Sequence, residues 1–233
     1  AAVSVEVLDA HGAPLEQIPL GSERAGVSRA YLAAQRGARY RIHVRNDSGE
    51  RVGIVVAVDG RNIISGARSE LARGEPMYIL EPYDSQSYSG WRTSLASVHE
   101  FYFTDFADSY ANAFGDSSAR GVIAVAVYRE MRRVSEVSEA RAPPPAARAA
   151  ADSAMVAKAA PSEPGTGYGE RRAEAAVRVA FDAEAREQSR VLLKYEWRET
   201  LCRRQLLDCQ TPLANRLWDE DAGEGFAPRP PPR

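Results

Sequence analysis

Lysine is almost missing from this sequence: among 30 basic residues only Lys158 and Lys194 are lysines, so arginine carries nearly all the positive charge. With so much alanine beside it, the bias reads as a GC-rich coding background rather than a selected arginine-rich surface. Histidine is scarce as well. His11, His43 and His99 never pair at metal-ligand spacing, so no metal site is predicted. Two cysteines exclude a disulfide-dense scaffold and a four-cysteine zinc module. The longest apolar runs, such as Ile54-Val55-Val56-Ala57-Val58, fall far short of the ~20 residues of a membrane-spanning helix. A net charge of −2 supplies no general basic surface to displace counterions, which argues against a nucleic-acid partner.

What is present suits a globular protein. The 233 residues are 44% hydrophobic, enough for one or two domains with a real core. The chain begins Ala1-Ala2-Val3, compatible with removal of an initiator Met or with cleavage of a leader. Location is therefore left open between cytoplasm and export.

Residues 1–134 read as strands. Val3 to Val7 and Tyr40 to Arg45 alternate apolar and polar with period two. Asn46-Asp47-Ser48-Gly49 and Asp59-Gly60 carry turn chemistry, and the apolar run Val52–Val58 between them suits a central strand. Further strands are expected at 62–65, 77–80, 85–91, 100–103 and 122–128, with a helical turn at 94–99 and a loop or short helix at 106–116. Short strands at ~8–12-residue spacing predict a mostly β fold, an antiparallel β-sandwich or jelly roll.

Composition shifts at 135–164. From Glu136 to Pro164 there are eleven Ala and five Pro and no aromatic residue, which predicts a linker. Residues 165–218 then read as a β-hairpin, with arms at Val177–Phe181 and Val191–Tyr195, followed by a short helix over 197–207. That unit is too small to stand alone and is expected to dock on the sandwich. Residues 219–233 form an acidic and proline-rich tail, expected to be disordered.

Cys202 and Cys209 would sit ~10 Å apart on a continuous helix, too far for a bridge. Two buried or partly buried thiols are the expectation, with a disulfide open only if the helix stops before Cys209.

The candidates for chemistry are few. Gly165-Thr166-Gly167-Tyr168-Gly169 follows a proline-rich stretch and leads to a strand, the wrong context for a phosphate cradle, and reads as flexible re-entry of the linker. No Gly-x-Ser-x-Gly elbow occurs. His43 alternates with Ile42 and Val44, so it is expected to face solvent. Carboxylates gather in predicted loops at Asp59, Glu70, Glu75, Glu81 and Asp84, mostly as ordinary loop polarity. Aromatics crowd the middle of the chain: Tyr78, Tyr83, Tyr88, Trp91, Tyr102, Phe103 and Tyr110. The candidate binding residues are Tyr83, Tyr88, Trp91, Arg92 and Asp59, with core packing the favoured role of Trp91.

Tyr40–Asn46, Val58–Gly66, Tyr78–Pro82 and Gly90-Trp91-Arg92, with Gly165–Glu170 and Leu192–Tyr195, resemble a family of proteobacterial β-sandwich-like proteins to which no activity is attached. The resemblance implies a bacterial origin and one architectural unit. No functional residue carries over from it.

With no convergent catalytic set and no cofactor motif, the expected function is a non-enzymatic binding or structural module. It would act through a protein partner or homo-oligomer in a bacterial surface, envelope or particle assembly. The alternative is a sugar-binding module or glycoside-active enzyme using Asp59 and Glu81 beside Trp91.

Overall fold

In chain order the strands are β1 (Val3–Asp9), β2 (Gln17–Leu20), β3 (Val27–Ala34), β4 (Arg39–Asn46), β5 (Val52–Val58), β6 (Arg61–Asn62), β7 (Tyr78–Leu80), β8 (Ser85–Tyr88), β9 (Gly90–Ser94) and β10 (Ser97–Asp105). A 3-10 turn (Phe106–Asp108) and α1 (Tyr110–Ala113) follow, then β11 (Val122–Arg129), β12 (Pro164–Thr166), β13 (Arg171–Ala173), β14 (Ser189–Trp197) and α2 (Arg198–Arg203). They come from a computed structural model that describes residues 3–21, 26–131 and 163–209. Residues 135–162 of the expected linker, and the tail, lie outside the described residues.

The elements form two seven-stranded sheets. One runs β1-β4-β10-β12, with β8 on β4 and β9 and β13 on β10. The other runs β2-β3-β14-β11-β5-β6, with β7 on β5. All pairings are antiparallel except β3 with β14, which is parallel from Val27↔Arg190 to Ala34↔Trp197. The fold is a β-sandwich with one mixed sheet.

The pattern of each strand explains its place. In β1 and β4 the buried residues alternate, Val3, Val5, Val7 and Tyr40, Ile42, Val44, and these face the interior. β5 and β11 are apolar on both faces. Val52, Ile54, Val56, Val58 and Ile123, Val125, Val127 enter the central core, while Val55, Ala57, Ala124, Ala126 and Tyr128 meet Leu71 and Ala183 on the outer side. An unbroken apolar run thus does mark a strand covered twice.

The C-terminal strands and short helix are present, with a shift in where the first arm lies. β12 and β13 extend the first sheet along β10, and β14 enters the second sheet between β3 and β11. Val177–Phe181, expected as strand, stands outside every ladder among the described residues. The helical turn expected at 94–99 is instead the β9–β10 hairpin, which carries a register shift between Ser97 and Val98. β2 and β3 lacked a clear alternating signal, because Ala30, Ala33 and Ala34 are weak strand formers.

The two cysteines are joined in a disulfide, with Cα atoms 5.5 Å apart, which corrects the expectation of two thiols. α2 ends at Arg203 and the chain reverses through Gln205 at a φ of 55°, folding Cys209 back onto Cys202. The bridge closes a small cluster of Leu201, Leu207 and Ala33.

β14 makes eight residue pairs with β3 and six with β11. Cleavage at Ala151 is therefore expected to leave the two pieces associated on gel filtration under native conditions. Separation of the pieces would contradict this architecture.

Candidate functional site

An open groove of about 1100 Å³ lies beside β7 and β8–β9. Residues 174–181 pass across it as a strap. Met77, Ile79, Leu95, Val177, Val179 and Phe181 give it an apolar wall, and Tyr78, Tyr88, Arg92 and Glu174 a polar one. Its volume slightly exceeds the ~300–1,000 Å³ usual for a small-molecule cleft.

The polar wall is internally satisfied. Arg92 is 7% exposed and Glu174 21%, and their side chains pair at 2.6 Å. Arg92 Nε donates to the Tyr78 hydroxyl at 2.6 Å, and Nη1 donates to the carbonyls of Glu174 (2.9 Å) and Ser94 (3.1 Å). The second Glu174 oxygen accepts from the Ser89 backbone N–H and hydroxyl. Burial raises the Tyr78 pKa, although Arg92 pulls the other way, and burial pushes that of Tyr88 well above its ordinary value. Both phenols therefore keep their protons at neutral pH. Tyr78 stacks on Tyr88 with centroids 4.1 Å apart.

The five sequence candidates separate. Tyr88 and Arg92 meet in the groove. Tyr83 is 70% exposed, at a corner where its φ is 61°. Trp91 is core, as favoured: it is 2% exposed, its Nε1 donates to the Gly167 carbonyl at 3.0 Å, and it contacts Phe101 edge-on. A Cβ on Gly90 would collide with the His99 carbonyl, so glycine is what lets β9 close on β10.

Asp59 is fully buried at the β5–β6 turn, where its φ is 50° and that of Gly60 is 80°. Its Oδ1 accepts from Gly121 N–H (2.7 Å) and Tyr195 O–H (2.6 Å), and its Oδ2 from Thr166 N–H (2.8 Å). With the Tyr195 proton given to Asp59, Thr166 must donate to Tyr195 (2.8 Å) and Tyr40 to Thr166 (2.7 Å). Burial raises the Asp59 pKa to about 6 against these stabilising donors. Asp59 is a clasp, and the partners that would have revealed it are up to 136 residues away.

The other loop carboxylates are also committed. Glu75 accepts from Ser69 Oγ (2.7 Å), Ala72 N–H (2.8 Å) and Glu70 N–H (2.9 Å). Glu81 pairs with Arg51, Glu70 with Arg68, and Asp84 accepts from Gln86. His43, expected toward solvent, is half-buried, with Nδ1 2.9 Å from Ser87 Oγ.

The glycine cluster is tightly packed rather than a flexible joint. A Cβ on Gly165 would come within 2.6 Å of Ser109 Cβ, one on Gly167 would strike the Tyr102 ring, and one on Gly169 would lie 2.7 Å from the Glu100 carbonyl. Tyr168 stacks between His99 (4.1 Å) and Tyr110 (5.4 Å). These rings use their faces on one another.

What sequence reasoning missed is the strap and Glu174, which is remote in sequence from Arg92. Among the described residues no group of three or more His, Cys, Asp or Glu side chains could hold a metal. No helix among them is long and apolar enough to cross a membrane. No protein family, curated protein or solved structure matches the chain.

Two outcomes follow. Trp91→Ala should lower unfolding free energy by ~3–5 kcal/mol in urea titrations, because it empties a filled core position. For Asp59, a pKa of about 6 when folded against 3.8 when unfolded means that its contribution is greatest below pH 4. It is lost as pH rises through 6, by about 3 kcal/mol in total. The stability difference between wild type and Asp59→Asn should shrink or reverse accordingly from pH 4 to pH 7, and a constant difference would refute the assignment.

Proposed function

We propose that this protein is a non-enzymatic binding module that holds a protein partner at the groove between β7, β9 and the strap. The observation that carries this reading is the combination of an apolar wall with charged groups already spent on each other. Glu174 is engaged by Arg92 and Ser89, and Glu81 pairs with Arg51. Exposed Leu95 (50%), Val177 (82%) and Val179 (50%) cluster at the rim, as apolar residues do on interaction surfaces.

Sugar recognition by stacking is less favoured. Tyr78, Tyr88, Tyr110 and Tyr168 have faces occupied by other rings, and Asp59 and Glu81 are committed to separate partners. The disulfide supports the exported branch of location, since such bonds persist in oxidising compartments. A role in a bacterial surface, envelope or particle assembly is consistent with that placement.

Selection of a displayed random-peptide library against the full chain tests the reading. Peptides should be enriched, and their binding should weaken about tenfold or more in Leu95→Asp, whose side chain is exposed and whose loss should spare the fold. Specific glycan binding unaffected by that change, or turnover of a glycoside, would overturn it.

A further inference from the structure

The strap is strand by sequence and unpaired by structure. Ala176-Val177-Arg178-Val179-Ala180-Phe181 alternates β-branched and other residues as a strand does. Ala176 N–H still donates to the Leu95 carbonyl at 2.7 Å, continuing the line of β13 along β10. Pairing resumes where Met131 N–H donates to the Asp182 carbonyl at 2.7 Å and Glu184 N–H to the Arg129 carbonyl at 2.9 Å. Between these anchors, no backbone N–H from Val177 to Phe181 donates a hydrogen bond among the described residues. The Ala180 carbonyl alone is engaged there, by Arg51. A strand-forming run is thus held at both ends with its middle open, beside a groove.

Natural proteins protect open edges with proline, bulges or charge. Here the charge has one sign. Arg171, Arg172 and Arg178 are exposed along the strap and β13. Arg172 shares Glu100 with Arg39, and Arg171 and Arg178 have no ion pair among the described residues. Glu174, the acidic residue of this stretch, is taken by Arg92. We propose that Val177–Phe181 accepts an added β-strand from a partner, an extended peptide of alternating apolar and acidic residues. Its apolar side chains would enter the groove and its carboxylates would meet Arg178, which alternates with Val177 and Val179. This rests on the binding-module reading and names the partner's chemistry. A second copy is a poorer occupant: Ala176-Val177-Arg178-Val179-Ala180 is a palindrome, and its symmetric antiparallel pairing sets Arg178 against Arg178.

The test uses the full chain with two blocked octapeptides, alternating Val-Glu and alternating Val-Lys, read by fluorescence anisotropy and amide hydrogen exchange. The Val-Glu peptide should bind about tenfold or more tightly than Val-Lys, and should slow exchange at Val177–Phe181. Val179→Pro removes an N–H and should abolish binding with an unchanged melting temperature. Arg178→Glu should reverse the peptide preference. Equal affinities, binding unaffected by Val179→Pro, or no slowing at Val177–Phe181 would overturn strand addition. Library peptides that bind the groove without slowing those amides would refute it while sparing the binding-module reading. Slow exchange there without peptide, or self-association in ultracentrifugation, would give the edge to another part of the chain or to a second copy.

Discussion

A carboxylate placed in hydrocarbon has to be surrounded by donors, and at Asp59 this requirement ties the molecule together. Its two oxygens accept hydrogen bonds from the backbone before β11, from β12 and from β14. Two of those three sources lie beyond residue 162. An unpaired buried polar group costs several kcal/mol, so the turn after β5 is satisfied only when the C-terminal strands are in place. The relay through Thr166 to Tyr40 carries the same dependence across to the first sheet.

Arg92 and Glu174 repeat the logic at the rim of the sandwich. Burying such a pair contributes little net stability, because desolvation offsets attraction. Removing one partner is costly, and that asymmetry fixes the strap's origin relative to β9. Glu174 also binds Ser89, so the position at which the chain leaves the first sheet is set by these side chains together with the backbone bonds of Glu174 and Ala176 to Ala96 and Leu95. Past Ala176, whose N–H still reaches the Leu95 carbonyl, the strap's backbone is held among the described residues only by Arg51 on the Ala180 carbonyl until Asp182.

The strands of residues 1–134 were readable because their burial is periodic: β1, β4, β5 and β11 lie within two residues of where alternation or continuous apolarity puts them. β3 was not, since its alanines pack well against β14 without announcing a strand. Val177–Phe181 failed in the opposite direction, with strong local preference and no neighbour to pair with. Within the site, Arg92 and Tyr88 could be found from composition. Glu174 could not, because nothing local marks it as the partner of an arginine 82 residues earlier. The role of Gly165, Gly167 and Gly169 is likewise tertiary: the rings and backbone they admit come from β10 and the 3-10 turn.

β14 is the last strand among the described residues and yet an interior one in its sheet, running parallel to β3 more than 150 residues before it. A chain emerging from the ribosome cannot complete this sheet until residues 189–197 have appeared. In the finished sheet β3 and β11 meet only through β14. Such distant pairing has a large loop-closure cost and folds slowly. The order of synthesis thus runs against the order of the sheet, in which the late strand joins two early ones.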